Sequence, residues 1–149
     1  MAMTHSFAVG DAIPPLVKTM TQEAINLFER SGGNTGPSQF TDEATAQGVL
    51  GTKGTVASGR MSLTFGTELL RRFFGPAIYN RNGVVELRFL RPVRPGDTVT
   101  FGGKVTDIAK VTNGVRVSVE VSATNQKGDT TAAGHGSCVV PSLWLPSVE

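Results

Sequence analysis

The first half of the chain carries the apolar spacing that is typical of helices. A first helix is expected after Thr21, which can cap it, with an apolar side formed by Ile25, Leu27 and Phe28. The glycines that follow Ser31 end this helix. The pattern therefore predicts one short helix that leads into a glycine-rich loop.

Two further helices are predicted downstream. One begins at Thr41, whose hydroxyl can cap it, and ends near Gly48, with Asp42 and Glu43 placed where the helix dipole favours negative charge. The other runs from about residue 60 to residue 74, and its apolar positions cover so much of the circumference that it should be buried. We expect this longer helix to form the centre of the core.

After Gly75 the pattern changes to alternating, β-branched runs separated by turns, which is the pattern of strands. Asn113-Gly114 is a strong hairpin turn. The predicted strands cover residues 84–90, 98–111, 115–124 and 130–140. Three long antiparallel strands thus follow one central helix, which predicts an α+β fold in which a sheet wraps around a buried helix.

Composition narrows the class of protein. The 149 residues can form one core and are too few for two ordinary domains, so we expect a single domain over residues 1–149. The 14 basic and 12 acidic side chains are dispersed, which argues against nucleic-acid binding. No apolar run approaches a membrane span and the N-terminus lacks a signal core, so we expect a cytoplasmic protein that does not contact a membrane.

Few residues have the spacing of known catalytic or ligand-binding motifs. The sequence shows no metal-ligand spacing, no phosphate loop and no nucleophile triad, so no metal or cofactor is expected. Cys138 lies in an apolar strand and is expected to be a buried structural thiol. His135, on the same predicted strand, is expected to be structural or exposed.

Four sequence features occur together in a fixed order. They are Val9-Gly10-Asp11, Ser31-Gly32-Gly33, Ala57-Ser58-Gly59 at the start of the longest helix, and the run Phe-Leu-Arg-Pro-Val-Arg-Pro-Gly-Asp-Thr over residues 89–98. Over roughly residues 7–140 the chain resembles the MaoC-like, (R)-specific enoyl-CoA hydratases of the hotdog superfamily, and the last motif is the most specific. The resemblance implies a hotdog fold, in which an antiparallel sheet wraps a long central helix.

The catalytic loop of that family has the form Ser-Gly-Asp-x-Asn-Pro-x-His. When the two are aligned on Pro37, Asn34 stands at the Asp position and Gln39 at the His position. Ser58 stands where the family commonly has a His before the helix-opening glycine. Amides bind and orient water but do not titrate near neutrality, so the resemblance implies that the usual acid and base are missing.

Other residues could compensate for these substitutions. Asp42 and Glu43 follow Gln39 closely and are either solvent-facing helix-start carboxylates or a relocated acid or base. Gly59 either makes a tight turn or lets a substrate carbonyl approach a helix N–H. Arg60 either meets a substrate carboxylate or CoA-like phosphate, or it is solvated or forms an inter-subunit salt bridge. We expect a tunnel bordered by Asn34, Gln39, Ser58, Gly59 and Arg60.

Three functions remain open at this point. The first is a lyase of the hydratase or dehydratase type that acts on an acyl thioester or a related small acid through an altered site. The second is a non-catalytic hotdog subunit that pairs with an active paralogue, and the third is a cleft reused for another reaction. In each case an open sheet edge predicts a homodimer or higher oligomer, or a heteromer with a paralogue, with the cleft at the interface.

Overall fold

The computed structural model describes residues 6–142. Its elements are β1 (Ala12–Thr19), α1 (Gln22–Ser31), α2 (Glu43–Leu50), α3 (Gly59–Phe74), α4 (Pro76–Asn82), β2 (Val84–Phe89), β3 (Thr98–Val111), β4 (Gly114–Thr124) and β5 (Thr130–Val140). The five strands form one antiparallel sheet in the order β1-β3-β4-β5-β2. The predicted α+β arrangement of an antiparallel sheet with a long helix is confirmed.

The core lies where α3 packs on the sheet. Alternate residues of β4, namely Val115, Val117, Val119 and Val121, are buried, as the period-two pattern predicts. Leu70 of α3 is fully buried and lies so close to β5 that a Cβ added at Gly136 would stand 2.6 Å from its Cδ1. A side chain at position 136 would therefore displace the Leu70 side chain, and it would also stand 2.6 Å from the main-chain oxygen of Val84 in β2.

Two elements escaped prediction. The strand β1 contains Pro14 and Pro15, which cannot donate to a ladder, and its register with β3 shifts between Ile13 and Leu16. Its position at the edge of the sheet tolerates this irregularity. The helix α4 has only seven residues, with Pro76 in its first turn, and it lies where strands were expected to begin.

Three predictions about the helices need correction, two on the limits of α2 and one on the buried side of α1. Asp42, and not Thr41, caps α2, because its carboxylate accepts the Thr45 N–H at 2.8 Å. That helix continues past Gly48 to Leu50, and its C-cap is Gly51, whose φ of 72° is the left-handed conformation that glycine favours. Leu27, expected on the apolar side of α1, is 57% exposed.

The long helix α3 is buried on one side only. Leu69, Leu70 and Phe74 face the core, whereas Leu63 is 37% exposed and Arg71 is also exposed. The expectation of a helix buried around its circumference is therefore wrong for the side that faces away from the sheet. The predicted burial of Cys138 is confirmed, and burial raises the pKa of its thiol to about 11. No helix within residues 6–142 is long and apolar enough to span a membrane.

We predict that Leu70→Ala lowers the free energy of unfolding by about 2–5 kcal/mol, because it leaves a cavity between α3 and β5. Urea denaturation measures this change. Leu27→Ala is the matched control and should change the free energy of unfolding by less than about 0.5 kcal/mol, since Leu27 is exposed. Equal losses in the two variants would contradict the packing of α3 described above.

Candidate functional site

Main-chain hydrogen bonds fix the segment that precedes α3. The N–H of Val56 donates to the carbonyl of Gln39 at 3.2 Å, and the N–H of Ala57 donates to the carbonyl of Val93 at 2.7 Å. The segment is thus held between the glycine-rich loop and the turn before β3. Of these residues, Gln39 was a predicted site residue, and it acts here through its main chain.

The glycine-rich loop turns back onto the helix that it leaves. The N–H of Gly33 donates to the carbonyl of Arg30, and Gly33 has a φ of 90°, which permits the reversal. The main-chain N–H of Asn34 then donates to the carbonyl of Glu29 at 2.9 Å. Asn34 is thereby fixed beside the last turn of α1.

A buried carboxylate, that of Glu29, stands at the centre of the site. Its side chain is 1% exposed. The Oε1 atom accepts from Nδ2 of Asn34 at 2.8 Å and from Nη2 of Arg60 at 3.4 Å, and Oε2 accepts from Oγ of Ser58 at 3.1 Å. Three predicted site residues therefore converge on one carboxylate that the sequence did not single out.

These contacts explain how Glu29 can be buried. A carboxylate removed from water loses several kcal/mol of hydration unless it is paired and hydrogen-bonded. Arg60 supplies the opposite charge, while Asn34 and Ser58 supply neutral donors. Arg60 is itself placed in the first turn of α3, and the anion that offsets its unfavourable position in the helix dipole is Glu29.

Ser58 occupies the N-cap position of α3 but does not cap the helix. In α1 the hydroxyl of Thr21 accepts the N–H of Ala24, and in α2 the carboxylate of Asp42 accepts the N–H of Thr45. The hydroxyl of Ser58 is instead directed at Glu29. No side chain in residues 6–142 therefore caps the first turn of the central helix.

A cleft of about 300 Å³ opens at this end of α3. Arg91 is the one charged residue among the ten that line it, and none of the ten is a carboxylic acid, a histidine or a cysteine. Phe89 covers Gly59, because a Cβ added at Gly59 would stand 2.6 Å from the ring. Within the described residues, the cleft thus offers helix N–H groups and hydroxyls, but no group that exchanges protons near neutrality.

The two carboxylates proposed as substitutes lie elsewhere. Two hydrogen bonds from Thr45 hold the pKa of Asp42 below its ordinary value. The hydroxyl of Thr45 has the larger effect, and its main-chain N–H has the smaller one. Glu43 lines a different cleft, which it shares with Lys53 and Arg94. Neither lines the cleft at Gly59.

Of the five residues expected to border a tunnel, Ser58 and Gly59 line the cleft at the start of α3, whereas Asn34, Gln39 and Arg60 do not. Asn34 and Arg60 instead meet Ser58 at the carboxylate of Glu29.

Helical spacing was the one sequence signal that could have identified Glu29. It lies four residues after Ile25, so the two share a face of α1, and both are fully buried. A glutamate in a short surface helix is ordinarily exposed, which is why the pattern was not informative alone. No group of three or more potential metal ligands occurs among residues 6–142.

The antiparallel sheet and the long helix α3 define a hotdog fold. The model of the MaoC like domain matches residues 9–127, so the chain belongs to the MaoC-like domain family. The resemblance that was inferred from the four sequence motifs is thereby confirmed. No curated protein sequence is significantly similar to the chain.

Several solved structures share the fold. An (R)-hydratase from A. caviae involved in PHA biosynthesis is 19% identical with a TM-score of 0.72, covering 91% of this chain and 98% of that one. The ChsH1-ChsH2 complex from Mycobacterium tuberculosis is 20% identical with a TM-score of 0.70, covering 89% and 98%. The HadBC (3R-hydroxyacyl-ACP dehydratase) complex from the same organism is 18% identical with a TM-score of 0.65, covering 86% and 97%.

We predict that Asp42→Ala lowers the thermal unfolding midpoint at pH 7, since it removes the cap of α2. The lowered pKa means that this stability is present above the ordinary value of 3.8 and is lost as the pH falls through the folded-state value. The difference from wild type should therefore shrink below about pH 4. Glu43→Ala, which removes no cap, should have a smaller effect, and a pH-independent difference for Asp42→Ala would contradict the assignment.

Proposed function

We propose that this chain is an acyl-thioester-binding protomer of a MaoC-like hydratase or dehydratase, and that a partner protomer supplies the acid and the base. The observation that carries the proposal is the composition of the cleft at the start of α3. It retains Gly59 and an uncapped first turn, yet the residues described there include no proton-transferring side chain.

Hydration of an enoyl thioester needs a base that activates water and an acid that protonates the α-carbon, which together contribute about 10²–10⁴-fold in rate. The amides of Asn34 and Gln39 lie outside the lining of the cleft, and an amide can hold a water molecule but cannot take its proton. The carboxylate of Asp42 caps α2, where it accepts hydrogen bonds from the main chain and the hydroxyl of Thr45. A normal rate of hydration is therefore not expected from this cleft alone.

The charge of Glu29 also favours binding over catalysis. An uncapped helix N-terminus stabilises negative charge that develops on a thioester oxygen. Here the buried carboxylate of Glu29 is hydrogen-bonded to the N-cap residue Ser58, so its negative charge already lies beside that terminus. The first turn can still donate to a neutral carbonyl, but an oxyanion is less favoured than it would be without Glu29.

The exposed surface beside the cleft supports a partner. The strand β2 is at the edge of the sheet, and no strand within residues 6–142 pairs with its outer side, which is a template for another strand. Val84, Phe89 and Leu90 are each 51% exposed along this edge, and Leu63 of α3 is exposed on the helix side that faces away from the sheet. Two similar structures, ChsH1-ChsH2 and HadBC, are complexes, which supports a heteromer as well as a homodimer.

One contact supports a competing function, in which the chain itself is a hydro-lyase. Ser58 lines the cleft and donates to Glu29, so its hydroxyl could pass a proton between a substrate and the buried carboxylate. This relay would make Glu29 the relocated base, in place of Asp42 or Glu43. It requires turnover by the purified chain, which distinguishes it from the binding protomer.

We predict that the purified chain binds butyryl-CoA, a saturated thioester, in isothermal titration calorimetry, and leaves the absorbance of crotonyl-CoA unchanged. Gly59→Ala should weaken binding at least about tenfold, because the added Cβ stands over the first turn of α3 and displaces the Phe89 ring, which also lines the cleft. Gly48→Ala is the matched control, since it is also helical and a Cβ there meets no atom within 4 Å.

The outcomes separate the two functions. Binding that Gly59→Ala removes and Gly48→Ala leaves intact supports a thioester cleft. Hydration by the chain alone that Glu29→Gln abolishes would favour the hydro-lyase, and failure to bind any acyl-CoA would overturn the thioester proposal.

We also predict that a coexpressed MaoC-like chain retaining the family's Asp and His hydrates crotonyl-CoA faster in complex with this chain than by itself. The reason is that the partner supplies the acid and base while this cleft binds thioester. Gly59→Ala in this chain should remove the gain while the complex still elutes intact from a sizing column. Equal rates with and without this chain would contradict the role of a binding protomer.

A further inference from the structure

We infer that Glu29 is the positioning residue that keeps an amide at position 34, and that it thereby holds the cleft in a form that binds thioesters without transferring protons. The inference deepens the proposed function and rests on it. It compares two placements of a carboxylate and an amide. One position is residue 34 in the exposed loop, and the other is the buried residue 29 in the last turn of α1.

The two residues are joined by two hydrogen bonds. The side-chain Nδ2 of Asn34 donates to Oε1 of Glu29 at 2.8 Å, and the main-chain N–H of Asn34 donates to the carbonyl of Glu29 at 2.9 Å. The main-chain bond holds the backbone of position 34 beside Glu29 when the side chain changes. A side chain at position 34 therefore stands within reach of the buried oxygen of Glu29, and its charge acts on that carboxylate.

A carboxylate at position 34 would stand beside the carboxylate of Glu29. Two carboxylates within hydrogen-bond distance cannot both be ionised without strong repulsion, so one of them keeps a proton. Arg60 is the charged group that contacts Glu29 among the residues described, and its Nη2 lies 3.4 Å from the same Oε1 atom. One guanidinium that is 58% exposed already pairs with the buried charge of Glu29 and cannot fully offset a second negative charge beside it.

The reverse exchange preserves the bonds to position 34 and to Ser58. With Glu29→Gln and Asn34→Asp together, the amide nitrogen takes the place of Oε1 and donates to the carboxylate at position 34, while the amide oxygen takes the place of Oε2 and accepts from Ser58. Arg60 loses Oε1 as its acceptor, and the charge that remains for it to pair with is the carboxylate at position 34. Position 34 is exposed, whereas Glu29 is fully buried. The double change therefore moves the carboxylate from the interior to a position that water and substrate can reach.

The first measurement is thermal stability against pH, which needs no activity. In Asn34→Asp, the folded pair keeps a proton that both groups release in the unfolded chain, so stability should fall as the pH rises from about 4 to 8. Adding Glu29→Gln should remove this fall. Asn26→Asp is the matched control on α1, because Oδ1 of Asn26 already accepts from Gln22 and contacts no carboxylate in the described structure.

The second measurement is hydration of crotonyl-CoA after Gln39→His supplies an imidazole. Glu29→Gln/Asn34→Asp/Gln39→His should exceed Asn34→Asp/Gln39→His by at least about tenfold, because only the triple variant has a carboxylate free to act as a base. The rate of the triple variant should pass through a maximum as the pH is varied, because one of the two groups must be deprotonated to act as the base and the other must keep its proton to act as the acid.

Two results would overturn the inference. One is an Asn34→Asp variant whose stability has the same pH dependence as Asn26→Asp. The other is an equal rate of crotonyl-CoA hydration by Asn34→Asp/Gln39→His and by Glu29→Gln/Asn34→Asp/Gln39→His. If no variant binds butyryl-CoA, the proposed function fails, but the pH dependence of stability still tests the coupling of Glu29 to position 34.

Discussion

The structure of the site depends on one buried carboxylate. Glu29 joins the end of α1, the loop at Asn34 and the start of α3 through side-chain bonds to Asn34, Ser58 and Arg60. Removing any one donor leaves part of a buried charge unpaired, which costs more than the bond itself contributes. These three segments therefore hold their positions together.

The two ends of α3 have different roles. Its C-terminal part packs in the core, and its N-terminus borders the cleft. Near its C-terminus, Leu70 and Phe74 are fully buried, and Gly136 lets Leu70 approach the sheet closely. At its N-terminus, Gly59 leaves the first turn open to the cleft below Phe89. Packing of the apolar side thus fixes the direction of α3, and the site requires only that its first turn is left uncapped.

An element or contact could be predicted from the sequence when the residues that determine it are close together in the chain. The strands β3 and β5 have the predicted limits because alternating side chains and turns such as Asn113-Gly114 determine them locally. In α2, both Thr41 and Asp42 could cap the helix, and the choice depends on the hydrogen bond that Thr41 makes with Ser38. The partners of Glu29 lie five, 29 and 31 residues away, so no local pattern contains them.

Glu29 also changes the meaning of the amide at position 34. Considered alone, Asn34 indicates the loss of a catalytic carboxylate. In the structure, a carboxylate still stands within 2.8 Å of that position, but it comes from α1 and faces the interior. Binding of a thioester requires shape and neutral donors, whereas proton transfer requires a titratable group that touches the substrate. The carboxylate of Glu29 faces inward and is not part of the cleft lining, so it does not meet the second requirement. The shape and the neutral donors of the cleft do not depend on a titratable group, so the proposed binding can persist without catalysis.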